Sequence, residues 1–184
     1  MSHYTFYQMF VDLLREAYAS EMLLMGKFPA LIKQATHPHL QEALSQHLDE
    51  TKSHQERLKK ISSLLGEQLE GASSPGMSGL LEEGDVALAK TTSPAVKDAC
   101  LIIACQKIEH YEMANYGSAY ALACQLSETD QAGPARFDTI ANLLEEMLEE
   151  ESAIDERLTE IAEGGFFSEG INDEAGKEQA EILH

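Results

Sequence analysis

Apolar residues recur every three or four positions along four long stretches of the chain, the spacing that lines one face of an α-helix. The first stretch, 5–35, carries Phe10, Leu14, Ala17, Leu24, Phe28 and Leu31 at these steps. The second, 38–65, carries Leu44, Leu48, Leu58, Ile61 and Leu65, and Gly66 follows as a C-terminal stop. The third opens at Ser93-Pro94, a cap residue with proline in the first turn, and runs through Ile102, Cys105, Met113 and Tyr120 to about 126. The fourth opens at Gly133-Pro134 and carries Ile140, Leu144, Met147, Leu148, Ile154, Leu158 and Ile161 before Gly164-Gly165. At a rise of 1.5 Å per residue each helix is about 45 Å long.

Connection lengths then set the topology. Short turns at 36–38 and 127–133 make the first and second helices antiparallel neighbours, and likewise the third and fourth. The longer stretch 67–92 holds a Gly/Ser/Pro-rich part at 71–76 and a short helix at about 78–90. Two helical hairpins joined by one long connection predict an all-α, ferritin-like four-helix bundle whose crossover carries a short extra helix. The bundle is expected over 1–165, with a loosely packed, polar and acidic C-terminal tail at 166–184. A short internal match, LDETKSHQERL at 48–58 against LEEESAIDERL at 148–158, makes the second and fourth helices pseudo-equivalent.

Charge narrows the partners. The 184 residues include 32 Asp and Glu against 13 Lys and Arg, a formal net charge of -19. Such a surface repels nucleic-acid phosphates and anionic lipid, so neither nucleic acid nor a membrane is an expected partner. No apolar run approaches the roughly 20 residues of a membrane span, and no secretory signal is visible. A cytoplasmic protein is expected, with Cys100, Cys105 and Cys124 as reduced thiols, because their number and spacing match no disulfide or zinc framework.

The apolar stripes are interrupted by charge. An unpaired carboxylate inside a protein costs several kcal/mol, so one on a buried stripe is informative. Glu21 falls in the stripe of the first helix, Glu109 in that of the third, and Glu151 in that of the fourth with Asp155 one turn on. His47, Glu50 and His54 lie along one flank of the second. Antiparallel packing brings these midpoints to one level, where several carboxylates cannot all stay ionised without protons or a metal. The usual dinuclear pattern is one Glu from each of two helices and Glu-x-x-His from each of the other two. None of the four predicted long helices carries a Glu-x-x-His. Its second helix spaces Glu50 and His54 by four, and its fourth supplies no histidine. Glu112 follows Glu109 by three but lies off the stripe in phase. Glu150 matches Glu50 in the internal repeat, while Glu151 has the better phase. His3, His37, His39, His110 and His184 are read as peripheral, and Tyr18, Tyr111, Tyr116 and Tyr120 as bundle packing in which Tyr18 or Tyr116 can bond a ligating carboxylate.

Taken together, YASE at 18–21, HLDET at 47–51, AVKDA at 95–99, KIEHYEMANYG at 107–117, LEEMLEEE at 144–151 and DERL at 155–158 resemble the bacterial YciF/YciE family of ferritin-like proteins. The likeness extends over about 6–162. It implies a rubrerythrin-like bundle, a homodimer and a link with bacterial stress responses, without an assigned reaction. It also implies metal positions at Glu21, Glu50, Glu109, Glu112 and Glu151, with His54 and Asp155 as neighbours. Whether His54 or Glu112 ligates stays open. Oxygen-rich ligation suits iron or manganese. Two functions follow as expectations: a dinuclear carboxylate site reacting with dioxygen or peroxide, or a non-catalytic dimeric stress protein acting through protein contacts.

Overall fold

Helix α1 (Phe6–Gln34) starts at a capping box. Thr5 Oγ1 accepts from the Gln8 N–H (3.1 Å) and Gln8 Oε1 accepts from the Thr5 N–H (2.8 Å), satisfying two orphan donors at once. Helix α2 (Pro38–Leu65) ends at Gly66, whose left-handed backbone (φ 70°) lets its N–H donate to Ser62 O (2.9 Å). The crossover helix α3 (Pro75–Leu88) is capped by Ser74, and α4 (Pro94–Thr129) by Ser93, which accepts from the Val96 N–H (3.3 Å). Helix α5 (Pro134–Glu163) follows, then a hairpin of two-residue strands, β1 (Gly164–Gly165) and β2 (Ser168–Glu169), and α6 (Ile171–Ile182). These elements come from a computed structural model that describes residues 4–91, 93–129, 134–165 and 168–182. Gly133, His3 and His184 lie outside the described residues.

Around the bundle axis the order is α1, α2, α5, α4, and neighbouring helices are antiparallel. Helices α2 and α4 sit diagonally and run the same way, so the chain must return the length of the bundle between them. Helix α3 makes that return, packed on α4 and α1. This is the ferritin-like arrangement. Among the described residues no helix is long and apolar enough to cross a membrane.

The core is split in two. One apolar cluster contains Leu24, Phe28, Leu31, Leu44, Leu101, Cys105, Ile154 and Leu158. The other contains Phe10, Leu14, Leu58, Ile61, Tyr116, Ala119, Leu144 and Met147. Each buried aliphatic side chain contributes about 1.5–3 kcal/mol. Between the clusters lies a layer of buried polar groups: Glu21, His47, Thr51, His54, Glu109, Glu112 and Glu151.

Two findings extend the expected architecture. The stretch expected to pack loosely as a polar tail forms α6, which packs on α4 and α5, with Ile171 only 1% exposed in the first cluster. The short turn between α1 and α2 is held from α4 by the buried Asp98. Its carboxylate accepts from the N–H groups of Thr36 and His37 (2.8 Å each) and from Thr36 Oγ1 (2.6 Å), tying the two hairpins together. Asp98→Ala leaves those donors unpaired. The expected cost is about 2 kcal/mol, or roughly 4–8 °C in Tm for a chain of this size, measured by thermal and urea unfolding of the metal-free protein.

Candidate metal centre

Glu21, His47, His54, Glu109, Glu112 and Glu151 come from all four long helices and lie in the polar layer between the apolar clusters. They form two groups. His47, Glu109, Glu112 and Glu151 each offer one ligand atom within 4.8 Å of the others, and so do Glu21, His54 and Glu151. Glu151 belongs to both: its Oε2 is 3.7 Å from His47 Nε2 and its Oε1 is 3.0 Å from His54 Nδ1. His47 Nε2 is also 3.2 Å from Glu109 Oε2, and His54 Nδ1 is 3.1 Å from Glu21 Oε1.

The inward atoms are poorly matched within the protein. Both oxygens of Glu109, Glu112 and Glu151, together with Glu21 Oε2 and His47 Nε2, are buried without a hydrogen-bond partner of proper alignment. Buried polar atoms are normally paired, so a cluster of poorly matched acceptors facing one another is a donor set that could hold a cation.

The outward side of each imidazole is well anchored. Glu50 Oε2 is 3.3 Å from His47 Nδ1, and Glu150 Oε2 is 2.7 Å from His54 Nε2. A carboxylate on the far ring nitrogen fixes the orientation of a ligating histidine and raises its basicity. Glu150 is itself held by both terminal nitrogens of Arg57 (2.6 and 2.8 Å). Tyr116 donates its phenol O–H to Glu21 Oε1 and sets its ring edge-on to His54, while Phe28 does the same to His47.

Proton affinities follow from this crowding. Burial disfavours the charged imidazoles, yet the carboxylates prevail: Glu109, then Glu50 and Glu151, hold His47 well above its ordinary 6.5. Glu150, Glu151 and Glu21 likewise push His54 up to about 12. Burial lifts Glu112 well above the carboxylate range, with Glu21, Glu151 and Glu109 adding to it. Burial also lifts Glu151 to about 8 against the pull of the two histidines. For Glu150 burial is outweighed by the His54 and Arg57 hydrogen bonds, which bring it down to about 2.

Of the residues singled out from the sequence, Glu21, His54, Glu109, Glu112 and Glu151 are brought together. Glu50 is not: its side chain is 38% exposed and backs His47 from outside. Asp155 sits at the α4–α5 seam, 3.6 Å from His110 Nε2, outside both groups. Of the pair left open, Glu151 points inward and Glu150 lies at the rim. His47, placed by the sequence on the flank of the second helix but not among the expected metal positions, belongs to the first group. Its signal was the step Leu40, Leu44, His47, Thr51, His54, Leu58, Ile61, all buried; the half-buried Leu48 and Leu65 shift the apparent stripe away from it.

Residues 5–175 match the family described as a domain of unknown function, DUF892. Protein YciF of Escherichia coli (strain K12) is 34% identical over 163 residues, 88% of this chain and 93% of that protein. The chain belongs to the YciF family. Among solved structures, YcfI of Rhodopseudomonas palustris superposes with a TM-score of 0.79 at 32% identity, covering 86% of this chain and 95% of that one. The E. coli stress protein YciF superposes with a TM-score of 0.77 at 33% identity, covering 86% and 94%. For this member of the family, the polar layer makes a pH prediction. Glu151 binds its proton more tightly folded (about 8) than unfolded (4.5), so its contribution is full below 4.5 and lost as pH rises to about 8. His54 has the same sign, full below 6.5 and lost towards 12. The Tm of metal-free protein should therefore fall between pH 5 and 8, and fall less steeply in Glu151→Gln. An unchanged slope in that variant contradicts the assignment.

Proposed function

We propose that the polar layer is a dinuclear centre for iron or manganese and that the protein uses it against dioxygen or peroxide in a stress response. The observation that carries this reading is the set of unpaired, inward-facing carboxylate oxygens shared out between two groups with Glu151 common to both. His47, Glu109 and Glu112 would hold one ion, and Glu21 and His54 the other. The stress link is supported by the description of the E. coli relative as a stress protein.

Charge supports the stoichiometry. Four carboxylates with two neutral imidazoles carry a formal charge of -4. Four protons, on His47, His54, Glu112 and Glu151, bring this to zero in the metal-free core, and two divalent cations do the same. One ion would offset half of that charge and leave the rest to two retained protons.

When bound, iron or manganese would supply the electron-transfer chemistry towards dioxygen or peroxide. The chain's own residues do the rest. Tyr116 orients Glu21 through its O–H, while Glu50 and Glu150 orient the two imidazoles. The apolar clusters on either side keep bulk water out. A second reading, a non-catalytic dimer acting through protein contacts, is favoured by the exposure of Phe6, Met9, Met22 and Leu23 on α1 and by the naming of the R. palustris relative as a candidate structural protein.

Metal analysis after reconstitution of untagged protein should give two equivalents of iron or manganese per chain, a raised Tm, and release of about four protons at pH 7. Glu151→Ala, which removes the shared carboxylate, should lose both ions. Less than one equivalent with no thermal shift, in a protein that still protects cells from oxidant, would favour the second reading.

A further inference from the structure

The polar layer is closed at both ends by apolar clusters, and α3 covers the α1–α4 side, where Ser20 bonds Ser74 and Tyr111 bonds Glu16. A pocket of about 300 Å³ between α1 and the start of α3, lined by Tyr18, Met22, Leu23 and Ser74 among others, has no carboxylate in its lining; the α2–α5 face is different. It carries a pocket of about 170 Å³ lined by Gln46, Glu50, Glu150, Ala153, Ile154 and Arg157. Glu50 and Glu150 are the same two carboxylates that touch the outer nitrogens of His47 and His54. Only one side chain thus separates the pocket from each imidazole, whose other nitrogen faces the centre.

The two sides of this pocket are not equivalent. Glu150 is fixed by Arg57 and by His54. In the internal repeat Glu50 corresponds to Glu150 and Arg157 to Arg57, so the matching contact would run from Arg157 to Glu50. It does not form. Arg157 turns instead to Gln46 and Glu42 (3.6 Å). Glu50 is left half-exposed, with the 3.3 Å approach to His47 Nδ1 as its ion-pair contact. The pocket therefore offers a carboxylate that meets solvent at one side and a buried ligand at the other, unrestrained by arginine.

We infer that divalent cations enter the centre through this α2–α5 pocket and that Glu50 is the residue that receives them from solvent and passes them to the His47 side. The inference rests on the proposed dinuclear centre and adds its route of loading. The strongly acidic chain draws cations to its surface generally. What the pocket adds is a half-exposed carboxylate, held by no contact to Arg157, one residue away from the ligands. Arg157, the cation on its rim, opposes loading when it swings towards Glu50.

The probe is Co²⁺, whose visible absorption reports binding to the metal-free full chain by stopped flow. Glu50→Gln keeps an oxygen to accept from His47 Nδ1 but loses the charge. Its association rate constant should fall about tenfold. Arg157→Gln should raise it about threefold. Asp155→Asn removes the same charge at the rival α4–α5 seam, beside His110, and should leave the rate unchanged. A role confined to orienting the His47 ring would raise the dissociation rate without slowing association. Association in Glu50→Gln within twofold of the unmodified chain, or equal slowing in Asp155→Asn, overturns the entrance. An unmodified chain that takes up no Co²⁺ overturns the centre itself and the entrance with it.

Discussion

Four carboxylates and two imidazoles occupy one layer of the bundle, out of reach of bulk water, and their charges have to be balanced by each other, by protons or by cations. Much of the fold serves that requirement. Each long helix contributes at the level where its apolar stripe is interrupted, and the uninterrupted parts above and below form the two clusters. The aromatic edges of Phe28 and Tyr116 hold the imidazoles in place. Asp98 at the end of the bundle fixes the relative position of the two hairpins and hence the register of the four helices that meet in the layer. The layer cannot contribute to stability as apolar packing would, because its groups face one another with unmatched acceptors. Its retention at the centre of the core is understandable if those acceptors have a ligand.

The outer carboxylates give the centre a direction. Glu150 is immobilised by Arg57, and Glu50 is not immobilised by Arg157, although the internal repeat supplies the same residue types on both sides. One face of the bundle thus combines a support for His54 that Arg57 holds with a half-exposed support for His47 that Arg157 does not hold. The α1–α4 side is covered by α3 and its serine and tyrosine contacts, and the pocket between α1 and the start of α3 has no carboxylate in its lining.

The bundle was legible because its signals are local and repeated. Ser93 and Gly66 mark helix ends through hydrogen bonds that involve neighbours in sequence, and in α1, α2 and α5 the apolar period persists for about 30 residues. Helix α6 was not, since a short polar segment anchored by Ile171 gives too few periods to read. Glu21, Glu109 and Glu151 stood out as charges on otherwise apolar stripes. Glu112 did not stand out by phase, because α4 is covered by α1, α3, α5 and α6 and its apolar residues are spread around the helix. His47 was obscured by Leu48, an apolar neighbour that is only partly buried. Glu50, expected inward, contacts His47 from the outer side, a distinction of about a third of a helical turn that spacing alone does not resolve.

The central claim is that the layer holds two metal ions around Glu151. The direct measurement is a crystal structure of metal-reconstituted protein with anomalous difference maps collected across the iron and manganese absorption edges. The account predicts two peaks inside the bundle, one among His47, Glu109 and Glu112 and the other between Glu21 and His54, both beside Glu151. Anomalous density confined to the acidic surface, with the inner carboxylates still facing one another unoccupied, would contradict it.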